Sequence, residues 1–395
     1  MKKINPLLLI ISAAFLFVMS CKNDVKENKV TAFNTQEALK ERYALFLDYQ
    51  PDSLAFPRSY YKENDSINKK PSKDWTSGFY AGNLWQLYAL TGNEAYIEKA
   101  KQWTAFIEKE KFNDRTHDMG FKIFCSFGNG LKYQDNQKYK DIIVKSAQTL
   151  ATRYNEKVGS IRSWDFNKKR WQFPVIVDNM MNLELLFEAT KISGDSTFHD
   201  IANKHAYTTL KNHFRSDGSI YHVVDYDTIS GDIRMKVTHQ GINDESVWAR
   251  GQGWGIYGFT MAYRYTKNQV FLDRAIATAD FYLNHKTLRE DGIPYWDFHD
   301  PKIPNAPRDV SAATVIASAL IELHGYTNSQ AYLDYSKKVV NTLKSQEYIL
   351  GDNIKAPFIL DHSTGNWPKN DEIDEPIVYG DYYFLETLLR LKAIN

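Results

Sequence analysis

Cysteine is almost absent from this chain: there are two in 395 residues, Cys21 and Cys125. Only Cys125 lies in the body, so no internal disulfide and no cysteine metal site can form there. Its apolar surroundings, Gly120 to Phe124, suit a buried small hydrophobe. An excess of one charge is also missing. The 49 basic and 48 acidic side chains leave a formal charge of +1, which gives no general attraction to nucleic acid or to an anionic membrane. No Gly-rich phosphate loop, Gly-x-Ser-x-Gly elbow or His-Glu-x-x-His pair occurs. The ten histidines are scattered. His222 and His239 suit hydrogen bonding better than metal ligation, and no cofactor is expected.

Long apolar runs are scarce as well. The one at Leu7 to Val18 has signal-peptide length and is short for a membrane span. It follows Lys2 and Lys3 and ends in Val18-Met19-Ser20-Cys21. A small residue before a cysteine there resembles a bacterial lipoprotein cleavage site. Residues 1–20 are therefore expected to be removed, Cys21 to be acylated, residues 21–30 to act as a polar tether, and residues 31–395 to fold. A lipid anchor would place the protein in the cell envelope, in the periplasm or on the outer-membrane surface, as its only membrane contact.

What the chain has in quantity is aromatic side chains: 25 Tyr, 22 Phe and 9 Trp. Most must fill a core; the rest could stack on sugar rings. After residue 30 an apolar helical stretch, a polar turn and a second amphipathic helix recur. The pairs are Asn83 to Leu90 with Tyr96 to Glu108, Phe121 to Leu131 with Tyr139 to Tyr154, and Met180 to Ile192 with Phe198 to His213. Gly255 to Tyr265 with Phe271 to His285 and Ala312 to His324 with Tyr332 to Leu343 follow. Gly380 to Leu391 closes the chain and pairs with Thr35 to Asp48. Six such hairpins predict an all-α (α/α)6 toroid, with a stacked solenoid as the alternative. Ser160 to Val177 and Ser219 to Thr238 break the rhythm and are expected to hold short strands.

Three segments set carboxylates beside aromatics at helix starts: Lys73 to Trp85, His117 to Phe121 and Phe173 to Leu183. Asp178 follows an apolar run, where burial favours a neutral, proton-carrying acid. An N-cap for a helix from Asn179 is the competing reading. Asp118 carries the same two readings. The segment His239 to Trp254 is the densest polar one. Its Trp248 and Trp254 offer stacking faces, and Arg250 offers a cation for a carboxylate.

At these segments the chain resembles the unsaturated glucuronyl hydrolases, glycoside hydrolase family 88, from about residue 35 onward. The motifs are HDMGF at Asp118, VDNMMNL at Asp178, WARGQGW from Trp248 to Trp254, and GDYYFLE from Gly380. The resemblance implies a six-hairpin toroid and an unusual reaction. A lyase leaves a C4=C5 double bond in a terminal uronic acid; the enzyme protonates C4 and guides water to C5. The hemiketal opens and the neighbouring sugar leaves, so the anomeric carbon is never attacked. By resemblance Asp178 is the general acid and base, and Asp118 assists from the ring hydroxyls. His222 and Gln240 stand near the ring and the water, Arg250 near the sugar, and Trp75, Trp248 and Trp254 form aromatic walls. Lys369, in the segment from Ser363, matches a contact to sulfate on the next sugar. The implied partner is an unsaturated uronic-acid oligosaccharide. A sister family acting on unsaturated rhamnogalacturonides, a lyase on a similar toroid, and a non-catalytic glycan binder are the rival readings.

Overall fold

Helix amphipathicity comes in two grades here, and the grades build two rings. The computed structural model describes residues 33–394; the expected signal peptide, the tether and Cys21 lie outside them. Helices α2 (Ser77–Thr91), α6 (Asn179–Ser193), α8 (Ala249–Thr266), α10 (Val310–Thr327) and α12 (Val378–Ile394) are buried nearly all round over their first turns. With a π-helix, Gly120–Gly128, that runs into α4 (Asn129–Leu131), they form the inner ring. Each packs on the next, and α12 packs back on α2. That closure makes the fold a toroid and removes the solenoid alternative.

The outer helices bury one stripe each. They are α1 (Thr35–Asp48), α3 (Ala95–Ile107), α5 (Gln137–Ala151), α7 (Ser196–Asn212), α9 (Gln269–Leu283) and α11 (Gln330–Leu343). In α11 the stripe is Tyr332, Tyr335, Ser336, Val339, Val340 and Leu343, the spacing of a helix face. The hairpin turns obey local chemistry. Gly92 and Gly194 take left-handed conformations, φ 70° and 76°, at the ends of α2 and α6. Asn136, Asp195 and Asn268 cap α5, α7 and α9 through their side chains.

The expected strands are present: β3 (Tyr154–Asn155) with β4 (Ser160–Ile161), and a sheet of β5 (Pro174–Ile176), β6 (Val223–Tyr226) and β7 (Ile233–Val237). Two further hairpins were not expected from sequence: β1 (Phe56–Tyr61) with β2 (Ser66–Lys70), and β8 (Ser363–Asn366) with β9 (Asp371–Glu375). Strand β9 has no apolar alternation, and its Glu372 and Asp374 sit at positive φ, 55° and 60°. The π-helix is held by close approaches. A Cβ on Gly78 would lie 2.2 Å from the Phe121 carbonyl oxygen, and one on Gly120 would lie 2.6 Å from Asn182 Cα. Cys125 is buried within this helix, as the sequence implied.

Candidate active site

All six inner helices start at the same end of the ring, and most expected site residues stand at those starts. Trp75 lies just before α2, Asp118 just before the π-helix, Asp178 just before α6 and Trp248 just before α8. Together with His222, Gln240, Arg250 and Lys369 they line one cleft of about 510 Å³.

Asp178 occupies the N-cap position of α6, but its side chain makes no capping hydrogen bond. The cap reading therefore fails. Its Oδ2 is buried and, among the described residues, has no hydrogen-bond partner. His222 Nε2 lies 3.5 Å from it. The His239 backbone N–H donates to His222 Nδ1 at 3.0 Å. An accepting Nδ1 puts the proton of a neutral ring on Nε2, the nitrogen that lies 3.5 Å from Asp178 and, among the described residues, has no hydrogen-bond partner of its own. Trp248 holds the imidazole from the side, with ring centroids 4.9 Å apart. Of the two histidines, His222 hydrogen-bonds through its ring, at Nδ1, whereas His239 contributes its backbone N–H and packs its ring on Trp164 and Phe166. Among the described residues no group of three or more His, Cys, Asp or Glu could hold a metal ion.

Asp118 has a contrasting environment. Burial penalises its charge, but His117, 3.1 Å from Oδ1, the Thr116 hydroxyl and Lys122 outweigh that and hold the carboxyl below its ordinary range. It is an ionised acceptor, and Met119 rather than Asp118 takes the N-cap position of the π-helix. Two carboxylates at one cleft with different partners suit different roles.

Two expected contacts differ. Trp254 is not a cleft wall. It lies in the second turn of α8, fully buried, against Phe121 and Tyr383 at 5.4 and 5.7 Å. Arg250 reaches the cleft, but its guanidinium is already engaged. It donates to Asp309, to the Thr364 carbonyl at 2.7 Å and to the Gly365 carbonyl at 2.7 Å. It lies 4.6 Å from the Trp248 ring. Its evident work is to tie β8 and Trp248 to the ring.

Sequence reading missed Arg58, which chelates Glu372 through two bonds of 2.7 Å and reaches Asp74 at 3.2 Å. Burial disfavours its charge, yet Glu372 and Asp74 hold it above its ordinary range. Arg58 lies 5.8 Å from the Trp75 ring and so braces that wall. Arg58 and Glu372 are far apart in sequence, and no local pattern announces the pair. Trp164 and Phe166 were also missed. They line the cleft and pack on His239. Burial, then His222, Lys369 and Arg170, pushes His239 down to about 4, so it is neutral at ordinary pH.

A larger cavity, about 790 Å³, opens at the C-terminal ends of the inner helices. Its charges satisfy one another. Arg264 bonds Glu184 and, at 2.6 Å, Glu322; Arg390 bonds Glu322 at 3.0 Å. Tyr257 donates to Glu386 at 3.1 Å. Among the described residues each acid that faces it has a partner, whereas Asp178 in the smaller cleft keeps an unpartnered oxygen.

Similar sequences and a similar fold occur in other proteins. Residues 55–286 match Glycosyl Hydrolase Family 88. An unsaturated glucuronyl hydrolase of Formosa agariphila is 58% identical over 100% of this chain and 99% of its own. The crystal structure of an unsaturated glucuronyl hydrolase specific for heparin superposes with a TM-score of 0.86 at 43% identity, covering 91% of this chain and 96% of that one. A mutant of the unsaturated glucuronyl hydrolase from Streptococcus agalactiae, complexed with dGlcA-GalNAc6S, superposes at 0.74 with 27% identity, covering 90% and 91%. With a matched profile over more than half its length and a relative alike from end to end, the chain belongs to glycosyl hydrolase family 88.

Proposed function

We propose that this enzyme releases a 4-deoxy-hex-4-enuronic acid from the non-reducing end of lyase-generated oligosaccharides by hydrating the C4=C5 bond. The observation that carries the reading is the Asp178–His222 pair in the cleft: a carboxyl with a buried, unpartnered oxygen 3.5 Å from the equally unpartnered Nε2 of His222. Asp178 gives its proton to C4. The carboxylate that results takes a proton from the water that attacks C5, and the hemiketal opens and releases the next sugar. Atoms balance with one water consumed and Asp178 regenerated. His222 and Gln240 hold the water side, and ionised Asp118 accepts hydrogen bonds from ring hydroxyls. Trp75 and Trp248 face the sugar, Arg250 fixes the wall behind it, and Lys369 meets sulfate on the next residue.

The test is a panel of unsaturated disaccharides from chondroitin, hyaluronan, heparin and algal glucuronan, followed by loss of the absorbance of the double bond. Turnover of at least one is expected. Failure on all of them, with activity on unsaturated rhamnogalacturonides, would move the chain to the sister reaction.

The cell-envelope location rests on the segment ending at Cys21. Acylation there anchors the enzyme at the periplasmic or outer-membrane surface. Cys21→Ala, expressed in a native-like host, should shift the protein from the membrane fraction to the soluble one. Wild-type protein that is already soluble and free of lipid by mass would remove the anchor.

A further inference from the structure

Phe166 is a large apolar side chain left 52% exposed, and it sits on a ridge. It stacks on Trp164 with ring centroids 5.0 Å apart and planes 12° from parallel. On one side of this pair lies the cleft. On the other lies a second groove of about 420 Å³, and Trp164 and Phe166 line both. The groove has cations in its wall: Arg162, Lys168 and Arg234. The turn that follows Phe166 carries Lys168, Lys169 and Arg170 in a row, all exposed.

Two of the wall cations, Arg162 and Arg234, have local counter-charges, and the three cations of the turn do not. Asp165 is taken by Arg153 and Arg162 at 2.8 and 2.7 Å, and Asp225 by Arg234. Among the described residues no ion pair engages Lys168, Lys169 or Arg170. The turn is nonetheless ordered. The N–H groups of Arg170 and Trp171 donate to the Asn167 carbonyl at 2.9 and 3.1 Å. The Arg170 guanidinium lies 4.5 Å from the Trp171 ring. A stacking surface followed by fixed, unpaired cations is a binding surface for a sugar chain that carries acid groups. A chain whose unsaturated end is in the cleft carries such groups further along.

We propose that the binding cleft continues over Trp164 and Phe166 into this second groove, where Lys168 in its wall, with Arg170 beside it against Trp171, binds a sulfate or carboxylate on a sugar beyond the first two. The proposal rests on the hydrolase reading above and adds to it a preference for longer, acidic substrates.

The experiment compares wild type with Lys168→Ala/Arg170→Ala. Substrates are the lyase products that wild type turns over fastest, as disaccharide and as hexasaccharide, each native and chemically desulfated. The double variant should lose roughly fivefold in kcat/KM on the hexasaccharide, as two exposed charge contacts allow. Its disaccharide rate should stay within about twofold of wild type, and added salt should shrink the difference. A loss only on the native hexasaccharide assigns the contact to sulfate; a loss on both forms assigns it to carboxylate. Equal losses on both lengths, or none on either, would overturn the groove. If wild type turns over no substrate of either length, the hydrolase reading itself fails and takes this proposal with it.

Discussion

Asp178→Asn should lower kcat on an unsaturated disaccharide by ~10²–10⁴-fold, the usual contribution of a positioned general acid and base, with a smaller change in KM. The amide keeps the size and planarity of the carboxyl but carries no transferable acid proton. Stability should change little, for a structural reason. The Asp178 side chain caps nothing, so no hydrogen bond to the start of α6 is lost. Circular dichroism and thermal melting of the variant should therefore overlay wild type while turnover falls. His222→Ala should fall in the same direction, since it removes the imidazole nitrogen that stands 3.5 Å from Asp178. Near wild-type turnover by Asp178→Asn would move the acid elsewhere, with Asp118 the next carboxyl to test.

Asp309→Ala should cost about 3–5 kcal/mol of stability, because it strands a buried guanidinium without its counter-charge. Arg250 is 2% exposed and Asp309 fully buried. Asp309 also caps α10, accepting from the backbone N–H groups of Ser311 and Ala312 at 3.1 and 3.3 Å, which adds about 1 kcal/mol. Asp309→Asn keeps part of the cap and should cost less. Denaturant midpoints at constant slope measure both. An Asp309→Ala midpoint close to wild type would mean that the buried Arg250 does not depend on Asp309 as its counter-charge.

The helical hairpins were legible because turn chemistry is local. Gly92, Gly194 and Asn268 mark helix ends that any reader of the sequence can find. Outer helix α1 runs over the residues expected, Thr35–Asp48. Inner helices begin earlier than expected: α2 at Ser77 rather than Asn83, and α8 at Ala249 rather than Gly255. Their first turns, Ser-Gly-Phe-Tyr-Ala-Gly and Ala-Arg-Gly-Gln-Gly-Trp, are too rich in Gly and polar residues to read as apolar helix. They are buried all the same, because small residues let neighbouring backbones close in, as Gly78 does at the π-helix. A helix of i→i+5 bonds has no sequence period that separates it from an α-helix, so the π-helix could not be read.

At the site, Asp118, Asp178, His222, Gln240 and Trp248 converge because each stands at or near a start of an inner helix or on the strands beside one. Trp254 misled because two tryptophans in one motif look equivalent, while a helix turns the second into the ring. Arg250 lines the cleft, but its counter-ion, Asp309, is 59 residues away and could not be read from the motif. Strand β9, which brings Glu372 to Arg58, is a run of Asp-Glu-Ile-Asp-Glu in which no β pattern exists. Long-range pairs of this kind are decided by tertiary packing alone.

The most direct test of the whole account is turnover in heavy water, with an unsaturated disaccharide and its saturated counterpart side by side. If C4 is protonated from Asp178, wild type should place one deuterium on one face of C4 of the released keto-sugar. It should be read at early times, before enolisation exchanges that position, and the saturated glucuronide should remain intact. Cleavage of the saturated substrate, or release of the unsaturated sugar with no deuterium at C4, would contradict double-bond hydration and make the enzyme an ordinary anomeric glycosidase.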